Sequence, residues 1–360
     1  MRVAIVTDSF HRQNTRGTAS DEVTDAVRHT VDHLVDNGHT ALVVTPGPGL
    51  ADYRGVPVHR TGGASARTVH RVLAKFGPDV VHLPSPGVLG GCGLVAARRL
   101  GVPVLASHHT DVTNRARQRW VREVYARADR TLAPSRSAYE HLRGLGARDV
   151  QLWQPGVGLD LFSPAMRDPL LHAHWAREAR PGGPRVVVGY VGALERRKQV
   201  RRLLEVARVP GTRVVVVGDG SERSWLAEHL PDVVLTGPLR RDALAHAVAS
   251  LDVLVHPGET QTVCHAVREA QASGVPVIAP AAGGAVDAVR HDRTGLLYDP
   301  GDPRGLRTSV ATLVGSPGTR DRLAAAALAV RHPDWPVAAA TLVEVHCAAV
   351  VREGARTRAA

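Results

Sequence analysis

Short apolar runs recur along the whole chain, each closed by glycine, proline or a small polar residue and followed by a helix-like stretch. No other feature constrains the fold as much. In the first half the runs are Val3–Val6, Thr40–Thr45, Val80–Leu83, Val102–Ser107, Arg130–Ala133 and Val150–Leu152. In the second half they are Arg185–Val191, Arg213–Gly218, Val233–Thr236, Val253–His256 and Val275–Ala279. Runs this short and this rich in valine are strands buried on both faces, which requires parallel sheets covered by helices. The alternation predicts an α/β chain of doubly wound units.

A chain of 360 residues suffices for two such domains. Between the halves, the polar stretch from Arg167 to Pro184 ends in ARPGGP and carries the breakers of a linker. We therefore expect a first domain over 1–166, a linker over 167–184 and a second domain over 185–334. The tail from Asp334 reads as helical until the polar REGARTRAA end.

Composition narrows the function. No apolar run approaches the ~18 residues of a membrane span, and MRVAIV is too short for a signal-peptide core. Cys92, Cys264 and Cys347 are odd in number and far apart, which fits reduced thiols in a cytoplasmic protein and offers no zinc or calcium ligand spacing. The formal charge of +11 admits peripheral attraction to an anionic membrane surface. It does not point to nucleic acid: basic residues are dispersed, and aromatics at 4% provide no stacking platform. Lys75 and Lys198 are the only lysines; all other cations of this type are arginines.

The segment HPGETQTVCHAVREAQASGVPVIAP, from His256 to Pro280, reads as a strand end, a polar turn, a helix and a second strand. The helix, from about Cys264 to Ser273, directs Ala266, Val267 and Ala270 to a core, with Gly274 as its C-cap. Such a turn presents the N–H groups of a helix start, here around Val263, Cys264 and His265, to a phosphate. Glu269, one turn further on, is placed to reach a ribose; read blandly, it is a surface glutamate of an ordinary βαβ unit. Lys198 stands in GALERRKQ after the strand VVVGYVG, which ends at Gly192. A compact ammonium there suits a diphosphate. Gly218 and Gly220, in VVVVGDGSER, allow a tight turn at the next strand end.

The segment resembles the donor-site signature of glycosyltransferase family 4, retaining enzymes of GT-B architecture, and is closest in flavour to an actinobacterial GDP-mannose-dependent mannosyltransferase-like subgroup. The resemblance extends through VVGYVGALERRKQVRRLL, PAAGGAVDAVRHDRTGLLY, MRVAIVTDSF, SHHTDV, APSRSAYEHL and LWQPGVGLDLFSP, and so covers nearly the whole chain. It implies two Rossmann-like domains facing across a cleft, with a C-terminal helix over 335–355 crossing back onto the first. It also implies donor contacts from Lys198, Glu269, Gly192, Gly218, Gly220 and the Val263–His265 backbone. No cofactor or metal is expected, because lysine, arginine and helix N-termini neutralise the diphosphate.

On the acceptor side, His109 matches the family's HTD position and is a candidate to bind a sugar or acceptor hydroxyl, beside Asp111, which caps or orients. His108 reads equally well as structural. Gly17, in RQNTRGTAS, is the best match to the family's first-domain glycine loop, a phosphate loop or plain turn chemistry. This chain departs from the pattern at four places. Gln261 stands at the first glutamate, Ala193 at the arginine five residues before Lys198, Arg115 at an aromatic, and PGVG (155–158) at RGVD. The reading that follows is a metal-independent, retaining hexosyltransferase. Its donor is a GDP- or UDP-linked sugar, and its acceptor is a hydroxyl of a lipid, glycan or small natural product. The alternative, raised by the neutral Gln261, is a catalytically weakened nucleotide-sugar-binding partner of another enzyme.

Overall fold

The computed structural model describes residues 1–10, 15–16, 19–109, 115–177, 185–230 and 232–359. It divides into two compact units, one made of Met1–Gln13, Ser20–Gly156 and Trp335–Ala360, the other of Asn14–Ala19 and Val157–Asp334.

The sheet of the first unit runs, in spatial order, Val56–Thr61, Thr40–Pro46, Arg2–Val6, Val80–Pro84, Val104–Ser107, Arg130–Ala133, Val150–Leu152, with the short Asp52–Tyr53 antiparallel at one edge. Apart from that edge the pairing is parallel, which buries both faces. The first strand shows the consequence: Ala4 and Val6 join Leu83, Val104 and Tyr125 on one side, and Val3 and Ile5 join Val27 and Val31 on the other. Each such fully buried valine or isoleucine contributes about 1.5–3 kcal/mol. The helix Trp335–Ala359 supplies Val343 and Ala349 to the second of these faces. It also packs Ala338 and Leu342 with Leu105, Leu132 and Trp153, and the Trp153 indole donates to the Ala338 carbonyl at 2.8 Å.

The sheet of the second unit runs Val234–Gly237, Thr212–Val217, Val186–Val191, Val253–Val255, Val277–Pro280, Gly295–Tyr298, all parallel. Valines again alternate: Val187, Val215 and Val217 face one cluster, Val188, Val214 and Val216 the other. Counted in chain order, both sheets read third, second, first, then fourth onward, the doubly wound order that leaves a crevice between the first and fourth strands.

Three sequence expectations need correction. The stretch read as linker holds the helix Pro169–Ala176, capped by the Asp168 side chain, and its Trp175 and Ala176 enter the core of the second unit. The boundary between units therefore falls at Gly156/Val157 rather than after residue 166. The final helix does not stop before REGARTRAA but continues to Ala359, because arginine, glutamate and alanine are strong helix formers whatever their polarity. The strands Val56–Thr61 and Gly295–Tyr298 were not anticipated; both lie near sheet edges, where pattern signals are weak.

Candidate active site

In the second unit, the strand Val186–Val191 lies beside Val253–Val255, so the crevice at the switch of strand order is flanked by the turns that follow these two strands. One turn carries Lys198 on the short 3-10 stretch Arg196–Lys198; the other runs from His256 to the N-cap Cys264 of the helix His265–Ala272. The turns touch: a Cβ on Gly258 would lie 3.5 Å from the Lys198 carbonyl oxygen and 3.4 Å from Gln261 Nε2. Gln199, held left-handed at φ 54°, donates its side-chain amide to Glu259 at 2.7 Å.

The glycines form the floor of this site. Gly218 (φ 135°) packs so closely that a Cβ there would stand 2.0 Å from the Gly192 carbonyl oxygen. One on Gly220 (φ 154°) would stand 2.4 Å from that of Leu194. The tight turn expected at GDG is thus also a backbone-to-backbone seat for the turn that leads to Lys198. Gly283 and Gly284 play the same part under the other turn, where Cβ atoms would meet the Glu259 and Thr262 carbonyls at 2.4 and 2.5 Å. The Gly284 amide donates to the Gln261 carbonyl at 2.7 Å.

Around this floor, Lys198 is half-buried, and its side chain makes no hydrogen bond or ion pair among the described residues. Its ammonium is felt by His256, whose imidazole is pushed down to about 3 by burial first and by Lys198 second. The neutral His256 lies 3.8 Å through Nε2 from the Cys264 sulfur. The helix closes its first bond from Arg268 N to the Cys264 carbonyl at 3.1 Å, so the amides just before Arg268 point out of its N-terminal end. Val263, Cys264 and His265 are all buried at this end, and Glu269, only 2% exposed, is no surface glutamate. Gln261 is half-buried. Ala193 is buried, its carbonyl accepting the Tyr190 hydroxyl at 2.9 Å. Arg197 pairs with Glu195 beside it, which leaves Arg196 as the exposed arginine of that turn. Sequence reasoning missed Glu259 and Gln199, whose pairing across 60 positions no local pattern announces.

The first unit treats the equivalent crevice differently. Asp8, past the end of Arg2–Val6, accepts from the Gly87, Leu89 and Gly90 amides at 2.9, 2.9 and 3.2 Å. These amides open the helix Val88–Arg99, so a carboxylate of the chain itself fills the anion position there. His109, after Val104–Ser107, is 2% exposed and meets the Ser107 hydroxyl through Nε2 at 2.9 Å; the same hydroxyl meets His82 at 2.8 Å. Burial pushes His109 down to about 4, so at neutral pH it is a neutral hydrogen-bonding ring. His108 is buried against the Tyr125 hydroxyl at 2.8 Å. Gly17 and Asp111 lie outside the described residues. Among the described residues no group of three or more His, Cys, Asp or Glu is placed to hold a metal, and no helix is long and apolar enough to cross a membrane.

Solved structures share this fold. Alr3699/HepE from Anabaena, in complex with UDP, aligns over 97% of this chain and 100% of its own at a TM-score of 0.79 and 19% identity. Sucrose-phosphate synthase from Thermosynechococcus elongatus aligns over 96% and 98% at 0.79 and 19%. The two parallel-sheet units are those of a GT-B glycosyltransferase.

Residues 23–161 match the Glycosyltransferase Family 4 model and residues 174–329 the model of Glycosyl transferases group 1. A GDP-mannose-dependent alpha-mannosyltransferase of Mycolicibacterium smegmatis is 42% identical over 99% of this chain and 100% of its own length. One of Corynebacterium glutamicum is 36% identical over 98% and 89%. The chain belongs to glycosyltransferase family 4, and it is a glycosyltransferase that uses a nucleotide sugar.

Proposed function

We propose that the chain transfers mannose from GDP-mannose, with retention at the anomeric carbon, to a hydroxyl of a lipid, glycan or small natural-product acceptor. The observation that carries this reading is the meeting of the Lys198 turn and the His256–Cys264 turn at one switch-point crevice. The relatives named for GDP-mannose support the choice of donor.

In this reading Lys198 and the N-terminal amides of the helix His265–Ala272 neutralise the diphosphate without a metal, and Glu269 accepts from the ribose hydroxyls. Gln261 meets the sugar with a neutral amide, and His109 hydrogen-bonds the acceptor as a neutral imidazole. An α-linked donor that yields an α-linked product defines retention, in line with the relatives' alpha-mannosyl name. The protein acts in the cytoplasm, with any membrane contact peripheral.

The test is product formation from GDP-mannose, GDP-glucose, UDP-glucose and UDP-galactose over a panel of acceptors, with and without a chelator, and with anomeric assignment by NMR. An α-mannoside formed equally with chelator supports the proposal. Turnover with UDP sugars only, or a β-linked product, overturns the donor or the stereochemistry respectively. Gln261 favours a second reading, a weakened donor-binding partner; silence across the panel combined with tight GDP-mannose binding would favour it.

A further inference from the structure

The second unit has a basic cavity at the opposite end of its sheet from the donor turns. Arg185, just before the strand Val186–Val191, and Arg213, second in the strand Thr212–Val217, line a space of about 240 Å³ with Arg208, His229 and Asp232. Val187 lies opposite Arg213 in the parallel register, so Arg185 and Arg213 stand on neighbouring strands and on the same face of the sheet. A six-residue strand separates this edge from the carboxyl ends by roughly 20 Å.

The charges here are poorly matched. The Arg213 side chain makes no hydrogen bond or ion pair among the described residues. Among the described residues its Nε and that of Arg185 are buried without a partner. Arg185 gives one guanidinium N–H to the Arg177 carbonyl at 3.2 Å and approaches Asp232 only to 3.6 Å, a carboxylate that is 72% exposed. His229 is turned to Trp225, stacked at 4.2 Å with Nδ1 on the Trp225 carbonyl. Three guanidiniums thus share one weakly held carboxylate. Burial, and then the charge of Arg185, lower the proton affinity of Arg213. Like charges held together with orphaned buried donors are costly unless an anion answers both.

We propose that this cavity binds a small tetrahedral oxyanion, either inorganic phosphate or the phosphate group of a small phosphomonoester, at a site separate from the donor turns. Guanidinium forks suit the paired oxygens of such an anion. The volume falls below the ~300 Å³ at which sites for drug-sized ligands begin, which favours a small anion over a nucleotide.

The experiment is a calorimetric titration of inorganic phosphate, and in parallel of glycerol phosphate, into protein already saturated with GDP so that the donor turns are filled. The wild type should show a phosphate event in both arms if the site takes monoesters, and in the inorganic arm alone if it takes only the free ion. Arg213→Gln should weaken it about tenfold or more, the range for a hydrogen bond to a charged group, while leaving GDP affinity unchanged. Arg208→Gln, at an exposed position where folding is not at stake, should weaken it less. If GDP does not bind, the same titration in a Lys198→Ala background tests the anion site alone, and the phosphate event should persist there. Absence of a phosphate event in the wild type, or an event of unchanged strength in Arg213→Gln, overturns the proposal.

Discussion

The side-chain amide of Gln199 donates to Glu259 at 2.7 Å and so ties the turn that carries Lys198 to the turn that leads into the donor helix. The bond spans 60 positions of sequence and holds two loops that glycine packing also supports. Lys198→Ala should weaken nucleoside diphosphate binding by about 1.5–3 kcal/mol, the loss of a hydrogen bond to a charged group. Glu259→Ala should act indirectly, with a smaller loss, because Gln199 is released rather than a phosphate contact removed. Calorimetry on both variants checks this; a greater loss of affinity in Glu259→Ala than in Lys198→Ala would mean that Glu259 itself touches the ligand.

Gln261 stands where the family places a carboxylate, half-buried with its carbonyl fixed by Gly284. Restoring the charge with Gln261→Glu should raise turnover with GDP-mannose by about thirtyfold to several hundredfold, because a preorganised charge near an oxocarbenium-like centre is worth on the order of 2–4 kcal/mol. Initial rates of both proteins decide the point. A fall in rate would instead show that the neutral amide itself serves the transfer of mannose.

Buried histidines make the fold sensitive to acid. His108, His109, His256 and His346 are pushed down to about 3, 4, 3 and 3, each chiefly by burial. In the unfolded chain they take a proton near 6.5. Their contribution is therefore complete above that pH and is lost as pH falls from about 6.5 toward 4, where only the unfolded state binds the protons. Together they impose a slope of about 5 kcal/mol per pH unit, against a usual total stability of about 5–15 kcal/mol. Denaturant midpoints at pH 7, 6 and 5 should fall steeply. His346→Leu should flatten the slope by about one proton without loss of stability at pH 7, since among the described residues neither ring nitrogen has a partner. A flat profile between pH 7 and 5 would contradict the argument.

Asp8 clamps the start of the helix Val88–Arg99 through three amides. Asp8→Ala should lower stability by about 1–3 kcal/mol, because buried amides lose a charged acceptor at a helix N-terminus. Urea unfolding measures it, and an unchanged midpoint would mean that water replaces the carboxylate at no cost. A useful control is phosphate, which should rescue the variant partly if the vacated amides bind an anion.

Much of the fold was legible because VVVGYV, VVVV and VIAP are too short and too apolar to be anything but covered strands. Edge strands were not: Val56–Thr61 contains a proline and alternates, and Gly295–Tyr298 is four residues long. In the site, Lys198 and Glu269 stood out by residue type and spacing, properties of a local window. Gly218 read correctly as a turn residue, but its tighter constraint comes from Gly192, across a neighbouring loop. Asp8 and Glu259 were silent for the same reason: their partners lie 79–82 and 60 positions away, and no local pattern announces them. The linker was misread because ARPGGP marks a break while the residues just before it fold into a helix whose tryptophan belongs to the second core.

Assignment of the final helix to the first unit has a consequence for synthesis. Leu105, Leu132 and Trp153 leave the ribosome long before Ala338 and Leu342, which cover them, so the nascent first unit carries an uncovered apolar face and an indole without its acceptor. The second unit is contiguous over Val157–Asp334 apart from the short segment Asn14–Ala19, and it can close while that face still waits. Leu105, Leu132 and Trp153 are therefore sealed only after the whole of Val157–Asp334 has been made, so a contact within the first unit waits on synthesis of the second.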